Sequence, residues 1–135
     1  MTKIEEQLIK HEGIRLTPYW CSRGYLTIGV GRNLEGKGIT EAEAIHLLNN
    51  DIKICIQDLL AIFNGQFKTF PENIQMVLID MRFQLGHSGF RRFKKMIVAV
   101  KNCDWDGTIK EMINSKWYNQ VKGRADNLIS MIKDQ

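Results

Sequence analysis

The stretch that decides the fold runs from His11 to Gly31 and reads HEGIRLTPYWCSRGYLTIGVG. Residues 2–12 carry their apolar side chains on one stripe, which predicts a short helix at the start of this stretch. Gly13 ends that helix, because glycine tolerates the positive φ that a helix end requires. Glu12 is therefore the last residue of a helix, a position where a glutamate is ordinarily solvated.

After Gly13 the pattern becomes that of β-structure. Two β-prone pieces, residues 14–19 and 25–28, flank a turn-like tetrad at 21–24. Repeated glycines then break the chain up to residue 38. We predict a small hairpin-bearing lobe over 13–39 that folds back over the helix end and places Glu12 in the wall of a cleft.

The rest of the chain is predicted to be helical. Thr40 and Glu43 form a capping box, and apolar residues at helical spacing predict a helix over 40–63, long enough to join two lobes. The predicted buried face of this helix comprises Ile45, Leu48, Ile52, Cys55, Leu59 and Ile62.

Residues 64–135 are predicted to form a helical lobe that includes a helix over 105–117. The aromatic residues assigned to its core are Phe83, Phe90, Phe93, Trp105 and Trp117. The predicted fold class is therefore α+β and mostly helical. We expect one domain over 1–135, with helix 2–12 packing on the helical lobe.

Composition limits the class of protein. The 135 residues are 44% apolar and 25% charged, as in ordinary globular domains. The net charge of +4 favours anionic partners without naming one. Three cysteines at wide spacing fit neither a disulfide framework nor a zinc site, so no metal or cofactor is expected. The N-terminus MTKIEE lacks a signal-peptide pattern, and no apolar run reaches the ~18 residues of a membrane span. We expect a cytoplasmic origin and no integral membrane segment.

Glu12, Cys21 and Thr27 are separated by eight and then five residues. This spacing resembles the Glu-x8-(Asp or Cys)-x5-Thr signature of the phage-type lysozymes, the endolysin muramidases. Three further segments, at 39–51, 83–86 and 116–125, resemble the same family in the same order. The resemblance covers nearly the whole chain. It implies a lysozyme-like fold, in which a small β-hairpin lobe and a helical lobe are joined by a long helix.

The resemblance also implies an activity, namely hydrolysis of the β-1,4 bond between N-acetylmuramic acid and N-acetylglucosamine in peptidoglycan. Glu12 would be the general acid, and Thr27 would hold the attacking water. Arg124 would pair with Glu12 and tie the N-terminal helix to the C-terminal lobe. The candidate substrate contacts are Tyr25, Gln84, Asn119 and Gln120.

A glycosidase acid must stay protonated near neutral pH. Burial against apolar groups favours the protonated form of a carboxyl, whereas a nearby guanidinium favours the ionised form. The sequence leaves open which of the two effects prevails at Glu12.

Cys21 stands where many members of the family carry aspartate. A free thiol is only a few per cent ionised at neutral pH, so it supplies less negative charge unless its pKa is lowered. Arg23, two residues away, is a candidate for lowering it. Four roles stay open for Cys21: thiolate base or charge stabiliser, neutral group that orients water, covalent nucleophile, or tolerated small residue. Glu35, the next acidic residue after Glu12, is not expected to substitute for it.

Arg32 occupies a position where the family often has histidine paired with an aspartate on the inter-lobe helix. We therefore predict a stabilising pair between Arg32 and Asp51, without the titration near neutral pH that histidine would give.

Other readings remain beside hydrolysis. A lytic transglycosylase uses a glutamate without water, and a non-catalytic wall-binding module would keep the same fold. Four basic residues, Arg91, Arg92, Lys94 and Lys95, suggest a nucleic-acid binder, but a solvated helical face explains them better and no nucleic acid is expected as partner.

We expect a monomer that reaches the wall through a membrane-permeabilising holin. The short segment between Gly31 and Ile39 predicts a more open cleft.

Overall fold

The computed structural model describes residues 1–134. Helices make up 69% of the chain, and the strands form a three-stranded antiparallel sheet in the order β1-β2-β3. The strands are β1 Arg15–Trp20, β2 Leu26–Gly29 and β3 Arg32–Asn33. The helices are α1 Lys3–Glu12, α2 Glu41–Phe63, α3 Glu72–Arg91, α4 Lys94–Lys101, α5 Trp105–Ile113, α6 Lys116–Gln120 and α7 Lys122–Lys133, with a 3₁₀ helix at Asn64–Thr69. The predicted fold class is confirmed.

The chain divides into two compact units, and the division falls inside α2. The N-terminal unit ends at Leu47 and contains α1, the sheet and the first residues of α2. The helical unit begins at Leu48 and contains the remaining helices. No helix within residues 1–134 has the length and apolar character needed to cross a membrane.

Helix α1 begins and ends where the sequence predicts. The hydroxyl of Thr2 accepts a hydrogen bond from the backbone N–H of Glu5 at 3.2 Å, and Gly13 ends the helix with a φ of 76°. Within its apolar stripe, Ile4 and Leu8 are exposed.

The sheet follows the predicted hairpin and adds one strand. The tetrad at 21–24 is a tight turn, in which the N–H of Gly24 donates a hydrogen bond to the carbonyl of Cys21 at 2.9 Å. Strand β3 was not predicted, because two residues are too few to show an alternating pattern. It pairs with β2 so that Thr27 lies opposite Asn33.

The capping box at the start of α2 is confirmed. The N–H of Thr40 donates to Oε1 of Glu43 at 2.9 Å, and the N–H of Glu43 donates to the Thr40 hydroxyl at 3.1 Å. The predicted buried face is wrong at its N-terminal end, since Ile45 and Leu48 are exposed. Helical spacing identifies a shared face, but not how much of its length is covered.

The hydrophobic core lies in the helical unit. Its fully buried members include Leu59, Phe67, Met81, Phe90, Met96, Val100, Met112, Leu128 and Ile132. Phe90 and Trp117 are buried as predicted, whereas Phe83 is 45% exposed and its assignment to the core is wrong. The predicted single helix over 105–117 is also wrong. Helix α5 ends before Asn114, and the hydroxyl of Ser115 caps α6 by accepting from the N–H of Tyr118 at 3.2 Å.

A charged cluster links α2 to α3 inside the helical unit. The carboxylate of Asp58 accepts hydrogen bonds from Arg82 and from both terminal nitrogens of Arg91, one of them at 2.8 Å. Asp58 and Arg82 are each only 11% exposed. The hydrogen bonds from Arg91, more than those from Arg82, hold the pKa of Asp58 well below its usual range.

The cluster predicts an acid-dependent loss of stability. The lowered pKa of Asp58 stabilises the fold above the unfolded-state value of about 3.9, and this stabilisation is lost as the pH falls through the lower folded-state value. Asp58→Asn should therefore lower the free energy of unfolding by about 3 kcal/mol at neutral pH, because Arg82 loses its partner while shielded from water. It should also flatten the dependence of stability on pH between roughly 5 and 2.

Urea unfolding of both proteins at several pH values measures the effect. Asp80→Asn is the matched control, because its pair with Arg124 is about 40% exposed on both sides and should contribute less than about 1 kcal/mol. Equal losses in the two variants would contradict the role given to the Asp58 cluster.

Candidate active site

A polar pocket in the N-terminal unit brings together the three residues predicted to act in catalysis. Glu12, Cys21 and Thr27 all line it, and its volume is about 400 Å³. The remaining lining comes from the hairpin and the turn after it, namely Tyr19, Ser22, Arg23, Tyr25, Gly31 and Asn33. The hairpin thus lies against the end of α1, as the sequence predicts.

The carboxylate of Glu12 lies over Gly31. A β-carbon built on Gly31 would be 3.0 Å from Oε2 of Glu12 and 3.2 Å from its Cδ. Gly31 also has a φ of 66°, which glycine adopts without strain. The Glu12 side chain is exposed, so what surrounds it in this unit is a bare glycine and polar side chains. Within the N-terminal unit, the pocket lining gives Glu12 no apolar enclosure.

Thr27 is held firmly in the middle of the sheet. It lies on β2, opposite Tyr19 of β1 and Asn33 of β3, and is only 3% exposed. Its hydroxyl donates to the carbonyl of Tyr25 at 2.8 Å. Since the only hydroxyl proton is used there, the lone pairs of Oγ1 remain available to accept a hydrogen bond from water.

Cys21 is half-buried at the base of the hairpin turn. The pKa of its thiol is lowered from the ordinary value, first by the backbone of Tyr25 and then by the backbone of Arg23, against a smaller opposing effect of burial. The Thr27 hydroxyl contributes less to the lowering. The turn therefore stabilises the Cys21 thiolate relative to that of a free cysteine.

The side chain of Arg23 contacts Tyr25, whereas the sequence suggested that its charge would lower the pKa of Cys21. The guanidinium of Arg23 lies 5.8 Å from the ring centroid of Tyr25, in a cation–π arrangement. The lowering of the Cys21 pKa comes from the Arg23 backbone, and its side-chain charge is not among the main causes.

Arg32 has a partner that the sequence did not indicate. Its guanidinium donates to Oε1 of Glu43 at 2.8 Å and to the carbonyl of Gly38 at 3.1 Å. The hydrogen bond from Arg32, helped by the N–H of Thr40, lowers the pKa of Glu43 to about 2. Glu43 thus takes the role that the sequence assigned to Asp51, two helical turns later.

The helical unit holds the other residues implied by the resemblance. Gln84 lies on α3, and its Oε1 accepts a hydrogen bond from the indole N–H of Trp117 at 2.8 Å. Asn119 and Gln120 are exposed at the end of α6. Arg124 lies in the first turns of α7, and its Nε donates to Oδ1 of Asp80 at 2.8 Å.

Asn33 is a pocket residue that was not singled out from the sequence. The side-chain Oδ1 of Asn33 accepts from the N–H groups of Glu35 and Gly36 at 3.0 and 2.9 Å, so Asn33 shapes the turn that follows the pocket. The signal for it was an asparagine just before a glycine-rich run. Glu35 lies outside the pocket lining, as expected.

One acidic side chain at a helix end, one thiol with a lowered pKa and one buried hydroxyl facing a polar pocket are the groups of a hydrolytic site. Comparison with known proteins agrees with this class. The family model described as phage lysozyme matches residues 9–131. This chain therefore belongs to the phage lysozyme family, whose members are lytic, muramidase-like glycoside hydrolases.

Individual relatives are similar over most of the chain. The pre-baseplate central spike protein Gp5 of Enterobacteria phage T4 is 27% identical over 94% of this chain, which spans only 27% of that longer protein. Probable T4-type lysozyme 1 of Dictyostelium discoideum is 26% identical over 98% of this chain and 95% of its own length. An endolysin of Acyrthosiphon pisum secondary endosymbiont phage 1 is 29% identical, covering 92% of this chain and 84% of its own.

The contact between Gly31 and Glu12 predicts a specific effect on activity. In Gly31→Ala the new methyl group would displace the carboxylate, and glycosidase activity should fall by about 10- to 100-fold, since small misplacements of a reacting group are that costly. Gly29→Ala is the matched control. Gly29 has almost the same φ, 69°, but nothing lies within 4 Å of its added β-carbon.

Both variants place an alanine at a similar positive φ, so their thermal stabilities should be similar. Turnover of purified cell wall by the two proteins isolates the effect on Glu12. Equal activities would show that the position of the carboxylate does not depend on Gly31.

Proposed function

We propose that this protein hydrolyses the β-1,4 bond between N-acetylmuramic acid and N-acetylglucosamine in peptidoglycan, working as one lysozyme-like domain. The observation that carries the proposal is the shared pocket of Glu12, Cys21 and Thr27. Membership of the phage lysozyme family supports the class of reaction.

Glu12 is proposed as the general acid. It donates its proton to the glycosidic oxygen as the bond to the anomeric carbon breaks, which avoids an alkoxide leaving group. The sugar ring passes through an oxocarbenium-like state, and water adds from the opposite face with inversion. The space that Gly31 leaves beside Glu12 supports this role, since the carboxyl can lie against the backbone and face a substrate.

Thr27 and Cys21 are proposed to act on the attacking water. A hydroxyl whose proton is already donated to a carbonyl can only accept, so Thr27 would orient the water by taking one of its hydrogen bonds. A Cys21 thiolate would then accept the proton that the water loses as it bonds to the anomeric carbon. The lowered pKa of Cys21 supports the thiolate reading over the neutral one. Covalent attack by Cys21 ranks last, because water attack with inversion is what the family resemblance favours.

Substrate contacts are proposed for Tyr25, Gln84, Asn119 and Gln120. Gln84 is the best defined of these, because its carbonyl oxygen is occupied by Trp117. Its NH₂ group is thereby turned outward as a donor, suited to a sugar acetamido oxygen.

Arg124 is proposed to pair with Glu12 in the working enzyme. Its exposed pair with Asp80 is of the kind that is cheap to exchange. A double-mutant cycle of Glu12 and Arg124 measures the coupling, and a coupling energy near zero would remove this part of the proposal.

The setting of the reaction is proposed from the class of enzyme. A monomer made in the cytoplasm would reach the wall after a holin-type partner has permeabilised the membrane. Two candidate functions compete with hydrolysis, namely a lytic transglycosylase and a wall-binding module without activity. The presence of Thr27 beside Glu12 in the pocket favours hydrolysis, since a transglycosylase needs no residue to hold water.

The central prediction is that Glu12→Gln lowers the rate of wall lysis by at least about 100-fold, because the amide cannot donate an acidic proton. Glu6→Gln, an exposed change on the same helix, should leave the rate unaltered. Mass spectrometry of the wild-type products should find reducing-end muramic acid. Anhydro-muramic acid would establish a transglycosylase instead. If neither the wild type nor Glu12→Gln lyses the wall, the protein would be a wall-binding module without activity.

Cys21→Asp separates the roles of the thiol. If the thiolate is the working form, the rate falls as the pH drops below the pKa of Cys21. Cys21→Asp should keep much of the activity. Its rate should stay high to a lower pH than that of the wild type, down to the aspartate pKa of about 4. Cys21→Ser, which cannot ionise in this range, should lose activity at every pH. An unchanged pH profile in all three proteins would mean that residue 21 is merely tolerated there.

A further inference from the structure

A concentration of unpaired positive charge lies far along the chain from the catalytic pocket, in the helical unit. A second pocket, with a volume of about 510 Å³, lies where α4 begins and α5 passes into α6. Four cations line it, against one carboxylate, that of Glu111. The cations are Arg92, Lys94, Lys95 and Lys116.

None of these four cations belongs to an ion pair within residues 1–134. All four are exposed. The excess of three positive charges around one concavity compares with a net charge of +4 for the whole chain. The first turn of α4, which lacks a side-chain cap at Phe93, adds partial positive charge to the same lining.

We propose that this basic pocket binds a phosphodiester polymer attached to the wall glycan, a ligand chosen on the proposed function as a muramidase. Several lysines around one groove suit a repeating anion better than a single carboxylate, because ammonium groups act as separate point charges on successive phosphates. Such binding keeps an enzyme on the polymer that carries its substrate and raises its local concentration there.

The aromatic residues of the pocket argue against nucleic acid as the ligand. Binding of single strands relies on exposed rings on which bases stack. Here Trp117 is only 5% exposed and Phe93 is half-buried against it, with the two ring centroids 5.9 Å apart and nearly perpendicular. These two rings pack against each other and do not present an exposed face on which a base could stack.

The basic pocket is also connected to a proposed substrate contact. Trp117, which lines the pocket, donates its indole N–H to Gln84 at 2.8 Å. One side chain thus separates the bound polymer from a residue proposed to touch the sugar. This short connection suits a ligand that is covalently linked to the glycan being cut.

The test measures binding in the inactive Glu12→Gln background, so that its result does not depend on hydrolysis. The probe is purified polyglycerol phosphate, titrated at several salt concentrations. We expect Lys94→Glu with Lys95→Glu to weaken binding by about 10- to 100-fold at low salt. The slope of log affinity against log salt should fall by about 2. Acidic residues in the first turn of α4 suit the helix dipole, so the fold should persist.

The matched control is Lys53→Glu with Lys68→Glu, which makes the same change in net charge at two exposed lysines outside the pocket. It should bind as the parent does, apart from a small general effect. Equal weakening in both double variants would overturn the pocket as the site, as would no binding by the parent.

Two further probes test the identity of the ligand. Walls stripped of their phosphodiester polymer should bind less than intact walls, and equal binding to both would overturn the proposal. Tighter binding of single-stranded DNA or of anionic phosphatidylglycerol vesicles, lost in the same Lys94/Lys95 variant, would assign the pocket to nucleic acid or to lipid instead. Failure of lysis in the wild type with retained polymer binding would refute the proposed hydrolysis alone.

Discussion

One carboxylate oxygen of Glu43 links the start of α2 to the sheet within the N-terminal unit. It accepts from the N–H of Thr40, which starts α2, and from the guanidinium of Arg32 on β3. Because β3 pairs with β2, the same oxygen fixes the strand that carries Thr27. A small sheet without a core of its own gains its order from such polar anchoring. The position of the proposed water-holding hydroxyl thus depends on a helix cap.

Close approach of backbone to side chain imposes the second constraint on the catalytic pocket. Glu12 is the last residue of α1, and its carboxylate lies over Gly31. Gly13 ends the helix, and Gly31 leaves room for the carboxylate because it has no side chain. The pocket is polar, and its proposed acid is exposed. Within this unit, what distinguishes the Glu12 carboxyl is therefore its position and not its burial. Substitutions that move it by an ångström should affect activity more than substitutions that change the polarity around it.

Local signals made much of this predictable from sequence. The capping box, the glycine that ends α1 and the turn tetrad at 21–24 each depend on residues close together in the chain, and each was found where predicted. Choices between distant partners were not predictable. Arg32 pairs with Glu43, although the family resemblance pointed to Asp51. The aromatic Phe83 has a core-like pattern, yet its exposure depends on what the fold brings near it. A two-residue strand shows no periodicity at all.

The hairpin turn also explains how a thiol can stand where a carboxylate is usual. The main influences that favour the Cys21 thiolate are backbone groups of Tyr25 and Arg23, which the turn holds in place whatever side chain occupies position 21. An anion of either kind would meet the same amide dipoles. The electrostatic environment therefore belongs to the turn, and the side chain sets only the pH range in which a negative charge is present. In the proposed mechanism, a cysteine at this position would change the pH range in which the site carries its negative charge.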